Sequence, residues 1–188
     1  MNQKVFVITG TAGTGKTTIA QYLHNQYQMP QVITHTTRAP RDGEVDNRDY
    51  YFETPASFEK NHYLEAVEYS GNRYGSSREG VERAFAKNPF VSIVLDTKGA
   101  TTYAQVLGDE AVIIYLTVSN HAVLNERLVQ RGDEQARIAK RLASADYVRD
   151  LVLPADLVGV AHVIVNDDLT ATKRKIDELV KQVSSQNG

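Results

Sequence analysis

Residues Gly10-Thr11-Ala12-Gly13-Thr14-Gly15-Lys16-Thr17 spell G-x-x-x-x-G-K-[ST], the pattern of a loop whose backbone N–H groups wrap a polyphosphate. Its glycines permit the required backbone angles and a close approach to the ligand. Lys16 has the reach for the β- and γ-phosphates, and the Thr17 hydroxyl is a suitable Mg²⁺ ligand. The apolar run Val5 to Ile8 precedes the loop and an amphipathic stretch follows it. A strand therefore feeds a helix, whose N-terminus adds partial positive charge at the phosphates. Such a loop predicts nucleotide binding without naming the group that receives the phosphoryl.

A second set of residues has the chemistry of an acceptor site. Arg38 and Arg41 lie three apart around Pro40, in Thr34-His35-Thr36-Thr37-Arg38-Ala39-Pro40-Arg41-Asp42-Gly43-Glu44, and Asp49-Tyr50-Tyr51-Phe52 follows. Two guanidinium groups at that spacing can fork onto one phosphate, with a phenol as a neutral donor. Further on, Leu64-Glu65 and Ser70-Gly71-Asn72-Arg73-Tyr74-Gly75-Ser76 supply a carboxylate, another phenol and a hydroxyl. A carboxylate accepting from N1–H and the N2 amino group reads guanine, and adenine offers no such pair of donors.

These residues need rigid elements to hold them. Short β-branched runs at Val5 to Ile8, Val32 to Thr34, Phe90 to Leu95, Val112 to Val118 and His162 to Val165 predict buried strands. Helical spacing appears from Lys16 to Gln28 through Ile19, Leu23 and Tyr27, and from Ala122 to Gln130 with Gly132 as a C-terminal cap. It appears again from Thr170 to Val183 through Ile176, Leu179, Val180 and Val183. Alternating strands and helices predict an α/β fold with a mostly parallel sheet covered on both faces. Arg38 to Gly80 breaks the alternation with polar, tyrosine-rich, turn-forming sequence, which predicts an insertion of short strands. Arg127 to Arg141 carries five basic residues against two acidic ones, the pattern of a basic flap.

Composition narrows the class. The 188 residues have a formal charge of -2, from 21 Lys and Arg against 23 Asp and Glu, so no global basic field favours nucleic acid. With no cysteine, disulfides, thiol catalysis and cysteine-ligated metals are excluded. The N-terminal apolar run is far too short for a signal-peptide core, and no 18 apolar residues run together. The expectation is one domain in the cytoplasm, monomeric or homodimeric, without a nucleic-acid or membrane partner.

Over nearly its whole length the sequence resembles the guanylate kinase family, through matching pieces in family order. They are the phosphate loop, T-T-R-A-P-R-D-G-E, D-Y-Y-F, S-G-N-R-Y-G-S, V-L-D, R-L-V-Q-R-G followed by K-R-L, and V-I-V-N-D-D. The resemblance implies a P-loop NTPase core at about 1–33, 81–121 and 146–188. It implies an acceptor-binding insertion at about 34–80 and a lid at about 122–145. The implied reaction moves the γ-phosphoryl of MgATP to GMP, and to dGMP, with ATP as co-substrate and Mg²⁺ as cofactor.

By the same resemblance Arg38, Arg41, Tyr50 and Tyr74 hold the GMP phosphate, and Thr34, Glu65, Ser76 and Asp96 complete the GMP site. Gly10 to Thr17, Thr18, Arg127, Arg131 and Asn166 bind ATP. Lys16, Arg38, Arg131 and Arg141 are the implied catalytic residues; Thr17 is implied as a direct Mg²⁺ ligand and Asp96 as one acting through water. The chain departs from the family after Asp96, where Lys98 stands in place of a second acid and the turn is shorter. Thr34 replaces a usual Ser, and the lid is slightly short. Lys98 keeps open a family kinase acting on another phosphorylated acceptor, such as ribose 1,5-bisphosphate. A non-catalytic phosphopeptide-binding module of this family is a further alternative, which the retained Gly15-Lys16-Thr17 disfavours.

Overall fold

The computed structural model describes residues 3–40, 43–69, 71–130 and 135–185. In chain order the elements are β1 (Lys4–Thr9), α1 (Lys16–Tyr27), β2 (His35–Thr36), β3 (Tyr51–Phe52), α2 (Pro55–Phe58), β4 (Tyr63–Tyr69) and β5 (Asn72–Ser77). There follow α3 (Arg78–Phe85), β6 (Phe90–Val94), α4 (Thr97–Leu107), β7 (Ala111–Thr117), α5 (Ala122–Gln130), α6 (Gln135–Leu142), α7 (Ala145–Asp150), β8 (His162–Val165) and α8 (Leu169–Ser185).

Alternation along β1 explains the layers. Phe6 and Ile8 pack on one side with Ile19 and Leu23 of α1 and with Ile176, Leu179, Val180 and Val183 of α8. Val5 and Val7 pack on the other side with Val81 and Ala84 of α3, Ala100 and Tyr103 of α4, and Leu157. A strand apolar on both faces belongs inside a covered parallel sheet. The observed order is β6-β1-β7-β8, all parallel, so β1 and β7 are the inner strands. Helices α1 and α8 are also joined by Asp177, which accepts from the Tyr22 hydroxyl at 2.7 Å and the Tyr27 hydroxyl at 2.5 Å.

The insertion forms a second sheet in the order β3-β2-β5-β4, with β2 parallel to β3 and the other pairs antiparallel. Its interior holds a chain of polar contacts. His35 Nδ1 lies 2.8 Å from Glu53 Oε1, and Nε2 lies 2.7 Å from Ser77 Oγ. In the neutral imidazole Nδ1–H donates to the carboxylate and Nε2 accepts from the serine. Ser77 also caps α3 by accepting from Gly80 N–H at 3.0 Å.

One expected strand is displaced. Val32 to Thr34 forms no strand: Gln31 makes an isolated bridge to Ser92, and Val32 N–H donates to Ser92 C=O at 2.8 Å. The chain then leaves β6 for the second sheet, where pairing begins at His35. Helix α4, for which the sequence reading gave no element, begins at Thr97 because the Asp96 side chain accepts from Gly99 N–H at 2.7 Å and caps it. The Gly132 cap lies outside the described residues. Among the described residues no helix is long and apolar enough to cross a membrane.

Candidate active site

The phosphate loop is shaped by its main chain. Gly10 has φ of 126°, and a Cβ there would lie 2.1 Å from Leu116 C=O on β7. Gly15 has φ of 96°, and a Cβ there would lie 2.4 Å from Asn166 Nδ2. Only glycine satisfies both the backbone angle and the approach. Asn166 is buried at the end of β8; its amide donates to Thr14 C=O at 2.8 Å and accepts from the Thr172 hydroxyl at 2.9 Å. A residue assigned by resemblance to ATP binding thus also pins the loop from beneath. Gly15 starts α1 without a side-chain cap and the first turn holds no acid, leaving helix N–H groups for an anion. Lys16 Nζ donates to Gly10 C=O at 2.6 Å and Thr11 C=O at 2.8 Å, lying back along the loop.

A cleft of about 580 Å³ gathers most of the expected residues. Gly10, Thr11, Ala12 and Lys16 line one end, Thr34, Tyr50, Glu65 and Tyr74 the other, and Asp96 and Arg141 also border it. Lys98 lies exposed on the same wall in the first turn of α4. Thr17 and Thr18 are exposed on α1 and line a neighbouring hollow with Gln21 and Lys173. Arg127 reaches from α5 to Asn166 C=O at 3.0 Å. Ser76 is buried behind the cleft wall. Arg41 and Arg131 lie outside the described residues.

At the acceptor end Arg38 makes a two-pronged contact with Glu44, both N···O distances being 2.9 Å. Its guanidinium lies 5.5 Å from the Tyr50 ring centre and 5.8 Å from that of Phe52. The hydrogen bond that Arg38 donates to Glu44 raises the Arg38 pKa, with Tyr74 adding to it. Tyr50 and Tyr74 meet edge to face at 6.3 Å.

The Glu65 carboxylate is placed by an irregularity. The register of β4 on β5 shifts between Tyr63 and Glu65, and such a bulge re-aims the next side chain. It sets Glu65 opposite Ser76, whose hydroxyl donates to Glu65 Oε1 at 3.0 Å. Burial is the main cause that pushes the Glu65 carboxyl up to about 7, with the Asp96 charge adding to it and the Ser76 bond opposing it. Glu68, three residues on, is exposed and pairs across from Arg73. The buried Tyr103 hydroxyl lies near Ser76 and Glu65.

Sequence reading missed three charged residues on the wall, Asp146, Arg149 and Asp150. Arg149, on α7, contacts Asp96 at 2.8 Å, Asp146 at 2.7 Å and Asp150 at 2.9 Å. Asp150 in turn accepts from the Thr97 hydroxyl at 2.6 Å. The only sequence signal was Asp146 and Arg149 at i,i+3 spacing, common on exposed helices.

The oxygen donors available to a metal are few. Among the described residues no three His, Asp or Glu side chains gather as a cation site. A hydroxyl at Thr17 and one carboxylate at Asp96 match a hard cation that keeps waters and phosphate oxygens for its remaining positions.

The family model described as guanylate kinase matches residues 2–183. The chain belongs to the guanylate kinase family. It is 37% identical over 175 residues to a guanylate kinase of Thermus thermophilus, covering 90% of this chain and 76% of that protein. It is 36% identical over 183 residues to a guanylate kinase of Synechocystis, covering 94% and 93% respectively. Among solved structures, guanylate kinase from Anaplasma phagocytophilum superposes with a TM-score of 0.65 at 23% identity, covering 96% of this chain and 85% of that one. That likeness establishes the shared P-loop NTPase fold. Family membership sits with the retained guanylate kinase motifs and sets the departure at Lys98 within a family member.

Proposed function

We propose that the chain transfers the γ-phosphoryl of ATP to GMP, giving ADP and GDP. The observation that carries this reading is one cleft with a phosphate loop and Lys16 at one end and Glu65, Thr34, Tyr50 and Tyr74 at the other. Glu65 beside Ser76 supplies the acceptor pair that guanine donors require. A phosphate oxygen of GMP forms a bond to the γ-phosphorus as the bond to the β–γ bridging oxygen breaks, and ADP leaves with that electron pair. The attacking oxygen is already anionic, so no general base is needed.

Catalysis then rests on alignment and charge neutralisation. Arg38, Arg41, Tyr50 and Tyr74 hold the acceptor phosphate against repulsion, while Lys16, Arg131 and Arg141 meet charge spreading over the transferred group. Arg127 and Asn166 flank the ATP site, and Gly10 to Thr18 wrap its phosphates. The Thr17 hydroxyl, with Asp96 acting through water, would hold Mg²⁺, which when bound supplies positive charge at the phosphate oxygens. The lid at about 122–145 and the insertion at about 34–80 close over a core at about 1–33, 81–121 and 146–188, excluding water that would otherwise accept the phosphoryl. A cysteine-free, ATP-consuming chain suits the reducing cytoplasm.

A coupled ADP-release assay at fixed MgATP tests this with GMP, dGMP, AMP and ribose 1,5-bisphosphate. GMP and dGMP should turn over about 100-fold or more faster than AMP, because a buried acceptor left unpaired by adenine is costly. Turnover of ribose 1,5-bisphosphate with none of GMP would replace this reading by the family alternative raised by Lys98.

A further inference from the structure

The wall between the two nucleotide ends holds a guanidinium that the proposed mechanism has not used. Arg149 is held at two depths. Its Nε donates to Asp150, whose side chain is only 10% exposed and is fixed by the Thr97 hydroxyl. Its terminal nitrogens donate instead to Asp96 and Asp146, whose side chains are 31% and 50% exposed. Ion pairs with exposed carboxylates are weak and exchangeable, whereas the deep contact acts as a pivot.

Location gives that fork a purpose. Arg149, Asp96 and Asp146 border the cleft that Gly10, Thr11, Ala12 and Lys16 also line. Helix α7 is tied to the phosphate loop directly, because the Thr11 hydroxyl donates to Tyr147 C=O at 3.1 Å. Three carboxylates surround one guanidinium, so a polyphosphate reaching that point meets repulsion from Asp96 and Asp146 unless the cation turns toward it. A terminal phosphate group carries up to two negative charges against one on either exposed carboxylate, and its oxygens accept from the same planar fork.

We propose that Arg149 is a further catalytic residue, pivoting on Asp150 to exchange Asp96 and Asp146 for oxygens of the phosphoryl group in transit. This rests on the GMP-kinase reading and adds a cation from the core, beside those of the loop and lid. As the bond from the GMP oxygen to the γ-phosphorus forms and the bond to the β–γ bridging oxygen breaks, Arg149 bonds to oxygens of the transferred group. It takes no proton, and ADP departs with the electron pair. The exchange also frees the Asp96 oxygen that Arg149 engages in this structure.

Calorimetric titration of the full chain with inorganic tripolyphosphate reads the fork without turnover. Arg149→Ala should weaken binding about tenfold, while Asp146→Asn, which removes one competing carboxylate, should tighten it severalfold. In steady-state assays Arg149→Ala should lower kcat about 10³-fold with KM for GMP little changed, and Arg149→Lys should recover part of the loss. Identical tripolyphosphate affinities in the wild type, Arg149→Ala and Asp146→Asn, or an unaltered kcat in Arg149→Ala, would overturn the proposal. Should thermal melting show Arg149→Ala to be unfolded, Asp146→Asn decides: binding no tighter than wild type rejects the exchange. Failure of the GMP-kinase reading looks different, since the wild type would then bind tripolyphosphate yet leave GMP unphosphorylated.

Discussion

The two ends of the cleft are built by different means. At the ATP end the main chain does the shaping: β1 is hydrogen-bonded along its length to β6 and β7, Gly10 meets a carbonyl of β7, and Asn166 pins the loop from below. At the proposed acceptor end β2 and β3 are two residues each, and the proposed recognition groups are side chains paired with one another, Arg38 with Glu44 and Ser76 with Glu65. The polyphosphate cradle is therefore preformed, as its main-chain donors cannot rotate away. The acceptor site is held by contacts for which the ligand must compete, which makes it the more sensitive to charge and pH.

The largest effect is expected where the main chain is crowded. Gly10→Ala places a Cβ 2.1 Å from Leu116 C=O at a left-handed φ, so strand pairing or the loop must give way. The midpoint of thermal unfolding should fall by about 10 °C or more, with ATP protection lost. A variant that melted like the wild type and bound ATP normally would show the cradle to be far more pliable than its packing implies.

At the other end a side-chain change should leave the scaffold standing. Arg38→Ala should lower kcat/KM for GMP by about 10²- to 10³-fold while the calorimetric Kd for ATP stays within about twofold. Glu44→Gln should move KM for GMP in the opposite direction by a few-fold, because it weakens the carboxylate that competes for the fork. Loss of ATP binding in Arg38→Ala would mean that the two ends are not separable.

The smallest effect sharpens the contrast through pH. Burial pushes Glu65 up to about 7, and guanine donors favour its charged form, so GMP binding displaces a proton. KM for GMP, corrected for the titration of GMP's own phosphate, should rise about tenfold from pH 8 to pH 6, and this slope should vanish in Glu65→Gln. For folding the sign is the reverse of an ordinary paired carboxylate. A folded pKa above the unfolded value of about 4.5 costs stability as pH rises through 4.5 to 7, on the order of 3 kcal/mol once the group is charged. Glu65→Gln should therefore melt a few degrees higher than the wild type at pH 8 and match it near pH 4; a lower melting point at pH 8 would remove burial as the cause.

The same contrast governs what the sequence revealed. The phosphate loop was legible because crowded main chain demands glycine at stated positions and leaves a motif. Arg38, Tyr50, Glu65 and Tyr74 were legible only as an ordered set, since each alone is an ordinary surface residue. Nothing local announced Arg149, because its role depends on Asp96, more than fifty residues away in sequence yet 2.8 Å distant. Helix α4 went unread because Gly99 in its first turn weakens the helical pattern until the Asp96 cap is recognised. The misplaced strand at Val32 to Thr34 has the right composition but ends where the chain crosses between sheets, a choice made by tertiary pairing.

The polar chain inside the second sheet carries a warning about reading chemistry from geometry. Ser77, His35 and Glu53 stand in the order and spacing of a hydrolase's nucleophile, base and orienting acid. Yet Ser77 is 0% exposed and His35 2% exposed, and the serine oxygen is already occupied in capping α3. No ester or acylating reagent has a route to that oxygen, so the relay functions as a rivet fastening the acceptor sheet to the helix behind it.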